Sequence, residues 1–577
     1  MKNKDSRLSA GTIQRALTAA FLAYGLAACQ APAPAPDEPL AEAPPPLSAA
    51  VEEAAASIDQ PLLAESVSRL ASDEFEGRGP ASPGDEKARA YLAQSMEAMG
   101  LEPGGPDGGW QQPFEIVGIT SRQPETWSFV GGKGELEVKY WDESIATSGV
   151  QAETAKIKDA EVVFVGYGIE APEHDWDDYK GADLAGKVLL MLNNDPDWDP
   201  ALFEGNRRLY YGRWDYKYAS AAQQGAAGAI IIHTTPSAGY PWQVVQTSWS
   251  GENFELPAGP EPRTQVQAWM TEEAARALVA LAGHDLDTLI ESAHSREFTP
   301  VPLGVDTSLA LSNTVQRKET ANVAGLLRGS DPELADQVVV YTAHHDHFGI
   351  GEPDESGDTI YNGALDNASG CAQVLAIAQA FTKLPQPPRR SLLFLFVGVE
   401  EQGLLGSEYF ARNPTFPPGR IAANINVDGA NIWGRATDIA YVGYGKSSLD
   451  QVVEEAAAQQ GRTVKGEQFP DRGSFYRSDQ FNFAKIGVPA IYLDTGADFV
   501  GRPEGWAKEQ IETWERTQYH QPNDEIDDSW NFDGVIDDTR LAFVAGLTIA
   551  NADEMPSWNS GDEFEAARIE ALAAIGE

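Results

Sequence analysis

Three apolar runs, each leading to an acid or a histidine, constrain the fold of this chain more than anything else in its 577 residues. Val338-Val339-Val340-Tyr341-Thr342-Ala343 runs into His344, Leu392-Leu393-Phe394-Leu395-Phe396-Val397 into Glu400 and Glu401, and Ile425-Asn426-Val427 into Asp428. Continuous apolar runs of this kind predict strands buried on both faces. Between the first two, Asp366-Asn367-Ala368-Ser369-Gly370 precedes Val374, Leu375, Ala378 and Phe381, whose three-and-four spacing predicts an amphipathic helix. Strand, helix and strand in that order predict an α/β fold with a parallel sheet and crossover helices. Ligands of such sheets gather beyond the carboxyl ends of the strands, where these side chains fall. The spacing therefore predicts one shared pocket.

A formal charge of -45 and a sequence pI near 4.4 argue against nucleic acid as a partner, because phosphate binding needs a basic surface. The length suffices for two or more domains. Apart from Cys29 the only cysteine is Cys371, inside the predicted helix, so no intramolecular disulfide framework is expected. The simplest reading of Cys371 is a small buried residue.

The first 28 residues read as an export signal. Lys2, Lys4, Arg7 and Arg15 precede an apolar stretch from Ala16 to Ala28, too short to span a bilayer. It ends Leu26-Ala27-Ala28-Cys29, which resembles a bacterial lipoprotein signal. The resemblance implies lipidation of Cys29 and a membrane anchor. Gln30 is not the aspartate associated with inner-membrane retention, so the outer membrane is the expected destination. Residues 29–56 then form a tether: the alanine- and proline-rich stretch 31–48 cannot build a core and in an extended conformation would reach roughly 50 Å.

From about Ser57 the pattern turns helical, with Leu62, Leu63, Val67 and Leu70, then Tyr91, Leu92, Met96 and Met99 before a Gly100 stop. A stretch of different character follows. Val162 to Gly168, Lys187 to Leu192 and Ala229 to Ile232 are glycine-punctuated strand signals, and residues 217–233 read as helix, glycine turn and buried strand. This pattern resembles the protease-associated domain, a small mostly-β module inserted in peptidases. The insertion is placed at 119–305, splitting a main body into 57–118 and 306–555, with 556–577 as a C-terminal tail.

The main body resembles the zinc peptidase family that includes bacterial leucyl-type aminopeptidases and glutamate carboxypeptidase, often called M28. The resemblance rests on Leu70 to Arg78 (LASDEFEGR), Ala343-His344-His345-Asp346-His347, Asn362 to Gly370, Glu400 to Ser407, and Tyr519-His520-Gln521-Pro522-Asn523-Asp524. It implies a mixed, mostly parallel sheet sandwiched by helices and a co-catalytic pair of Zn2+ ions, for which Co2+ or Mn2+ are alternatives by ligand type. Asp366 would bridge the ions, with His344 and Asp428 completing one site and Glu401 and His520 the other. Two divalent ions against three carboxylates leave a net +1, which favours hydroxide over water. Glu400 would be the general base, Asp346 would orient the imidazole of His344, and Tyr519 would donate to a tetrahedral oxyanion. His345 and His347 form a rival ligand pair.

Peptides are the expected substrate, and three readings compete. The first is an aminopeptidase, with the inserted module as one wall of the cleft. The second is a carboxypeptidase or dipeptidase, in which Arg472 or Arg477 clamps a substrate carboxylate. The third is a binding protein on a dead peptidase fold, against which the complete ligand set argues. Gly445-Lys446-Ser447 is no phosphate loop, since Ala440 stands where that motif needs glycine. No Gly-x-Ser-x-Gly elbow marks a serine hydrolase. His174 reads as a solvated turn, and His233, His284 and His294 receive no role. The sequence is silent on oligomeric state.

Overall fold

A computed structural model describes residues 46–576. The predicted signal, Cys29 and most of the tether lie outside the described residues. Ordered structure already begins within the expected tether: Ala49–Ala56 is a helix capped by Ser48, with Ala54 and Ala55 buried.

Two further helices, α1 (Gln60–Leu70) and α2 (Pro83–Ala98), match the predicted pattern. Asp59 and Ser82 cap them by accepting hydrogen bonds from backbone N–H groups of the first turn. A long strand, β1 (Gln111–Arg122), then carries the chain into the inserted segment. There β2 (Thr154–Phe164), β3 (Val188–Leu192), β4 (Gly228–His233) and β5 (Val266–Thr271) pair in parallel, in the order β2-β3-β4-β5. Helices at Trp214–Gln223 and Glu272–Ala282 accompany them. The expectation of a mostly-β module thus meets a mixed one, built on a parallel α/β layer with antiparallel strands around it. The fully buried strands β3 and β4 are apolar on both faces, which is what a helix-covered parallel layer requires.

The return is made by β6 (Val301–Leu327), a strand of 27 residues. Its first half pairs with β2, its middle with the whole of β1, and its end with the main sheet. The expected boundaries at 119 and 305 therefore fall inside two strands common to both halves, and no linker separates them.

The main sheet contains β7 (Val338–His344), β8 (Ser391–Val397), β9 (Ile421–Asn426), β10 (Asp438–Val442) and β11 (Ala490–Asp494). Strands β8, β7, β9 and β11 run parallel in that order, flanked by antiparallel β6 and β10. The predicted crossover helix is α3 (Ser369–Thr382), nearly all of it buried. Together with α1 and α4 (Phe532–Asn551) it covers one face of the sheet. The fold is thus a mixed, mostly parallel sheet between helices, as expected. Of the stretch 556–577, set apart as a tail, the described residues 556–576 pack on the body. Trp558 and Arg568 are buried there, and Arg568 donates to the carbonyl of Ile421.

Candidate metal centre

His344 is the last residue of β7, Asp366 lies in the turn before α3, and Asp428 follows β9 by two residues. Glu400 and Glu401 follow β8 through Val399, whose φ of 61° is left-handed. A β-branched residue there costs on the order of 1–2 kcal/mol. The turn is held by the carboxylate of Asp346, which accepts from the backbone N–H of Glu400 at 3.0 Å and of Glu401 at 3.4 Å. His520, also at positive φ, follows the helix at Trp506–Thr517. All of them converge at the carboxyl ends of the parallel strands.

The distances define two donor sets that share Asp366. His344 Nε2 lies 3.1 Å from Asp366 Oδ1 and 3.2 Å from Asp428 Oδ1. His520 Nε2 lies 3.4 Å from Asp366 Oδ2 and 3.1 Å from Glu401 Oε2, yet it is buried and hydrogen-bonds to neither. His344 Nε2 is hydrogen-bonded to Asp428 Oδ1, whereas His520 Nε2, crowded by two carboxylates that it does not bond, fits a ligand facing a common cation. The electrostatics agree. Burial works against protonating His344, but Glu400, Asp428 and Asp366 outweigh it and hold the imidazole well above its usual pKa. Burial likewise opposes charge on His520, whose pKa is nevertheless pulled up to about 9 by Glu401 and Asp366. The cluster calls for positive charge, and histidine nitrogen with carboxylate oxygen is the donor set that zinc accepts.

Each donor has an outer partner. Ser478 Oγ donates to Asp428 Oδ2 at 2.6 Å and is itself held by Asn426. Asp524 accepts from the backbone N–H of Leu365 and of Asp366. His344 Nδ1 lies 3.3 Å from the backbone carbonyl of Asp346, whereas the carboxylate of Asp346 stands 3.8 Å away. The expected carboxylate–imidazole bond is therefore corrected: the main chain of Asp346 orients the imidazole, and its side chain holds the Glu400 turn.

The rival histidines separate. His345 turns away from the cluster to bond Asp85 at 3.0 Å in the core. His347 Nδ1 lies 2.5 Å from Glu401 Oε1, so Glu401 reaches His347 with one oxygen and His520 with the other. Burial and Asp366 raise the pKa of Glu401, and His520 and His347 overcome them, leaving it at about 2. Of the rival ligand pair, His347 thus stays at the cluster, where with Asp366 and Glu401 it forms a further group of donors close enough to hold a cation. Arg78 was quoted only as part of a motif, yet it is fully buried. It donates to the carbonyls of Leu70, His345, Asn362 and Gly363 at 2.6–2.8 Å. It thereby ties together the two loops that carry His344 and Asp366.

Glu400 is different. Its carboxylate makes no hydrogen bond among the described residues, and His344 Nε2 lies 3.9 Å from it. Burial raises its pKa well above the carboxylate range, and Asp428 and Glu401 add to this against the lowering effect of His344. Glu400 and Glu401 lie where two lobes of a cleft meet, of about 180 Å³ and about 190 Å³, each far larger than a single water needs. The first lobe is walled by the inserted segment through Trp214, Tyr240, Ser248 and Trp249, the second by Trp433, Phe469, Tyr492 and Trp514. Tyr519 lines both lobes and its ring lies tilted against that of His520, with centroids 3.7 Å apart. Cys371 is buried and free, as expected.

Residues 322–544, which contain every donor described, match the sequence model of peptidase family M28. This segment belongs to that family. Over 98 residues the chain is 37% identical to a vacuolar membrane protease of Verticillium alfalfae, covering 17% of this chain and 8% of that one. Over 175 residues it is 29% identical to leupeptin-inactivating enzyme 1 of Streptomyces exfoliatus, covering 29% and 38%. These matches span well under two thirds of the curated relatives' own lengths. Among solved structures, an aminopeptidase from Aneurinibacillus sp. strain AM-1 superposes with a TM-score of 0.52 at 18% identity, covering 88% of this chain and 97% of that one. That likeness shows the fold, inserted segment included. The M28 segment runs from Asn322 in β6 to Val544 in α4, so it omits α1, α2 and Arg78.

Proposed function

We propose that the protein is a two-zinc exopeptidase that removes amino-terminal residues from peptides. The observation that carries this reading is Glu400: a buried carboxylate with no hydrogen-bond partner among the described residues, beside a paired donor set and open to both lobes of a cleft. His344, Asp366 and Asp428 would hold one ion, and Asp366, Glu401 and His520 the other. Zn2+ bound there supplies a Lewis acid and lowers the pKa of water. Glu400 takes the proton of the attacking water and returns it to the leaving amine. Tyr519 donates to the oxygen of the substrate carbonyl as charge develops on it. The second lobe, where Asp494 stands with the donor carboxylates while Glu515 pairs with Arg472, suits a substrate ammonium, and the relative solved at TM-score 0.52 is described as an aminopeptidase.

A second reading, recognition of a free carboxyl terminus, draws support from Arg213 and Arg477 on the first lobe. Among the described residues no carboxylate lies within 4 Å of Arg477, and Arg213 has only Asp215 at 3.9 Å. Arg472 is otherwise engaged: it pairs with Glu515 and lies over Phe469 at 3.6 Å. Digestion of a peptide library, read by mass spectrometry with and without chelator, tests both. Loss of single amino-terminal residues that stops with chelator is expected. Shortening from the carboxyl end would establish the second reading, and cleavage indifferent to chelator would sink both.

The inserted segment is proposed to be a protease-associated domain, and lipid on Cys29 to anchor the protein in the cell envelope, at the outer membrane. Cys29→Ser is expected to move the protein from the membrane pellet to the soluble fraction with its peptidase activity unchanged. Persistence in the pellet after a carbonate wash counts against the anchor.

A further inference from the structure

His344, Asp366, Glu401 and Asp428 are all held by outer partners from the peptidase half: the main chain of Asp346, Asp524, His347 and Ser478. His520 is held from elsewhere. Its Nδ1 lies 2.9 Å from Oγ of Ser248, a residue of the inserted segment 272 positions away. The ring of Phe348 lies against the imidazole with centroids 4.6 Å apart and that of Tyr519 at 3.7 Å, and neither supplies a polar partner for Nδ1. Among the described residues Ser248 is the one hydrogen-bond partner of that nitrogen.

A neutral imidazole has one N–H and one lone pair, and the bond made by one nitrogen decides the state of the other. With the proton on Nδ1 and donated to Ser248 Oγ, the lone pair of Nε2 points at the space between Asp366 and Glu401. Ser248 is well placed to do this because its helix, Trp242–Trp249, is fixed. Trp242 Nε1 and Gln246 Nε2 both donate to the carbonyl of Trp141, and Val244 and Val245 are buried. Trp249, the next residue, packs edge-on against Trp214 and Trp269.

We propose that Ser248 is a positioning residue for the cation site formed by Asp366, Glu401 and His520, so that the inserted module completes that site as well as walling the cleft. This inference rests on the two-ion reading above. The test is a titration of the full chain with Zn2+ alone in competition with a chromophoric chelator, on the unsubstituted protein, Ser248→Ala, Ser248→Thr, and each of the first two in a His520→Ala background. The unsubstituted protein is expected to take up two ions. Ser248→Ala should weaken one of them by about 10- to 100-fold, the usual effect of losing an outer partner of a ligand, and leave the other in place. Ser248→Thr, which keeps the hydroxyl, should restore it. With His520→Ala, the remaining ion should be held equally well with or without Ser248→Ala, because the serine acts through the histidine. Unchanged affinity for both ions in Ser248→Ala overturns the role of Ser248 and leaves the two-ion site standing. Weakening of the remaining ion in the His520→Ala background also overturns it, since the effect would then be a general loosening. Failure of the unsubstituted protein to bind a second ion overturns the two-ion reading and the inference with it.

Discussion

Glu400→Gln is expected to lower kcat by about 10²- to 10⁴-fold, the range for removal of a general base, while the protein still binds both ions. The amide keeps the shape of the side chain and removes the proton acceptor. Because the Glu400 carboxylate makes no hydrogen bond among the described residues, its loss breaks no internal bond. The turn that presents it is fixed through the backbone N–H groups held by Asp346, which the substitution leaves alone. Zinc content and kcat measured on the same preparation separate this from Glu401→Ala, which is expected to lose metal. Equal loss of zinc in the two variants would reverse the assignment of base and ligand.

Arg78→Ala is expected to destabilise the fold by several kcal/mol, since each buried carbonyl left without a donor costs about 1–3 kcal/mol. Four carbonyls, those of Leu70, His345, Asn362 and Gly363, would be left buried without their donor. Two of the loops concerned carry His344 and Asp366, so the surviving folded fraction should also bind zinc less tightly. Arg78→Lys retains the charge but lacks the planar fork that reaches separate carbonyls, and it should fall between the two. Denaturant midpoints with zinc titration of the soluble protein check both effects. A midpoint for Arg78→Ala that matches the unsubstituted protein would remove Arg78 from the framework of the site.

The parts of the fold legible in the sequence are those in which one segment carries its own signal. β7 and β8 are apolar along their whole length because both faces are covered, and α3 shows its period because a single face meets the sheet. His344, Asp366, Glu400, Glu401, Asp428 and His520 could be picked out because each sits at a strand end or in a motif. What escaped depends on pairs that no local pattern encodes. Asp346 was assigned to the imidazole of His344 from its two-residue spacing, but the left-handed turn at Val399 brings the N–H groups of Glu400 and Glu401 to its carboxylate instead. Arg78 meets carbonyls more than 260 residues away, and Ser248 meets His520 across the cleft. The boundary at 305 had a signal that went unread. Residues 303–311 of β6 alternate buried and exposed, the period of a half-covered strand running straight through the expected junction.

Strand β6 has a mechanical consequence. At about 3.3 Å per residue its 27 residues form a girder on the order of 80–90 Å long, braced along its middle by the twelve residues of β1. Both halves of the molecule are bolted to it, so swinging one against the other would require breaking ladder bonds rather than rotating a hinge. The gap between the lobes is accordingly set by the ladders that fix both halves to one strand.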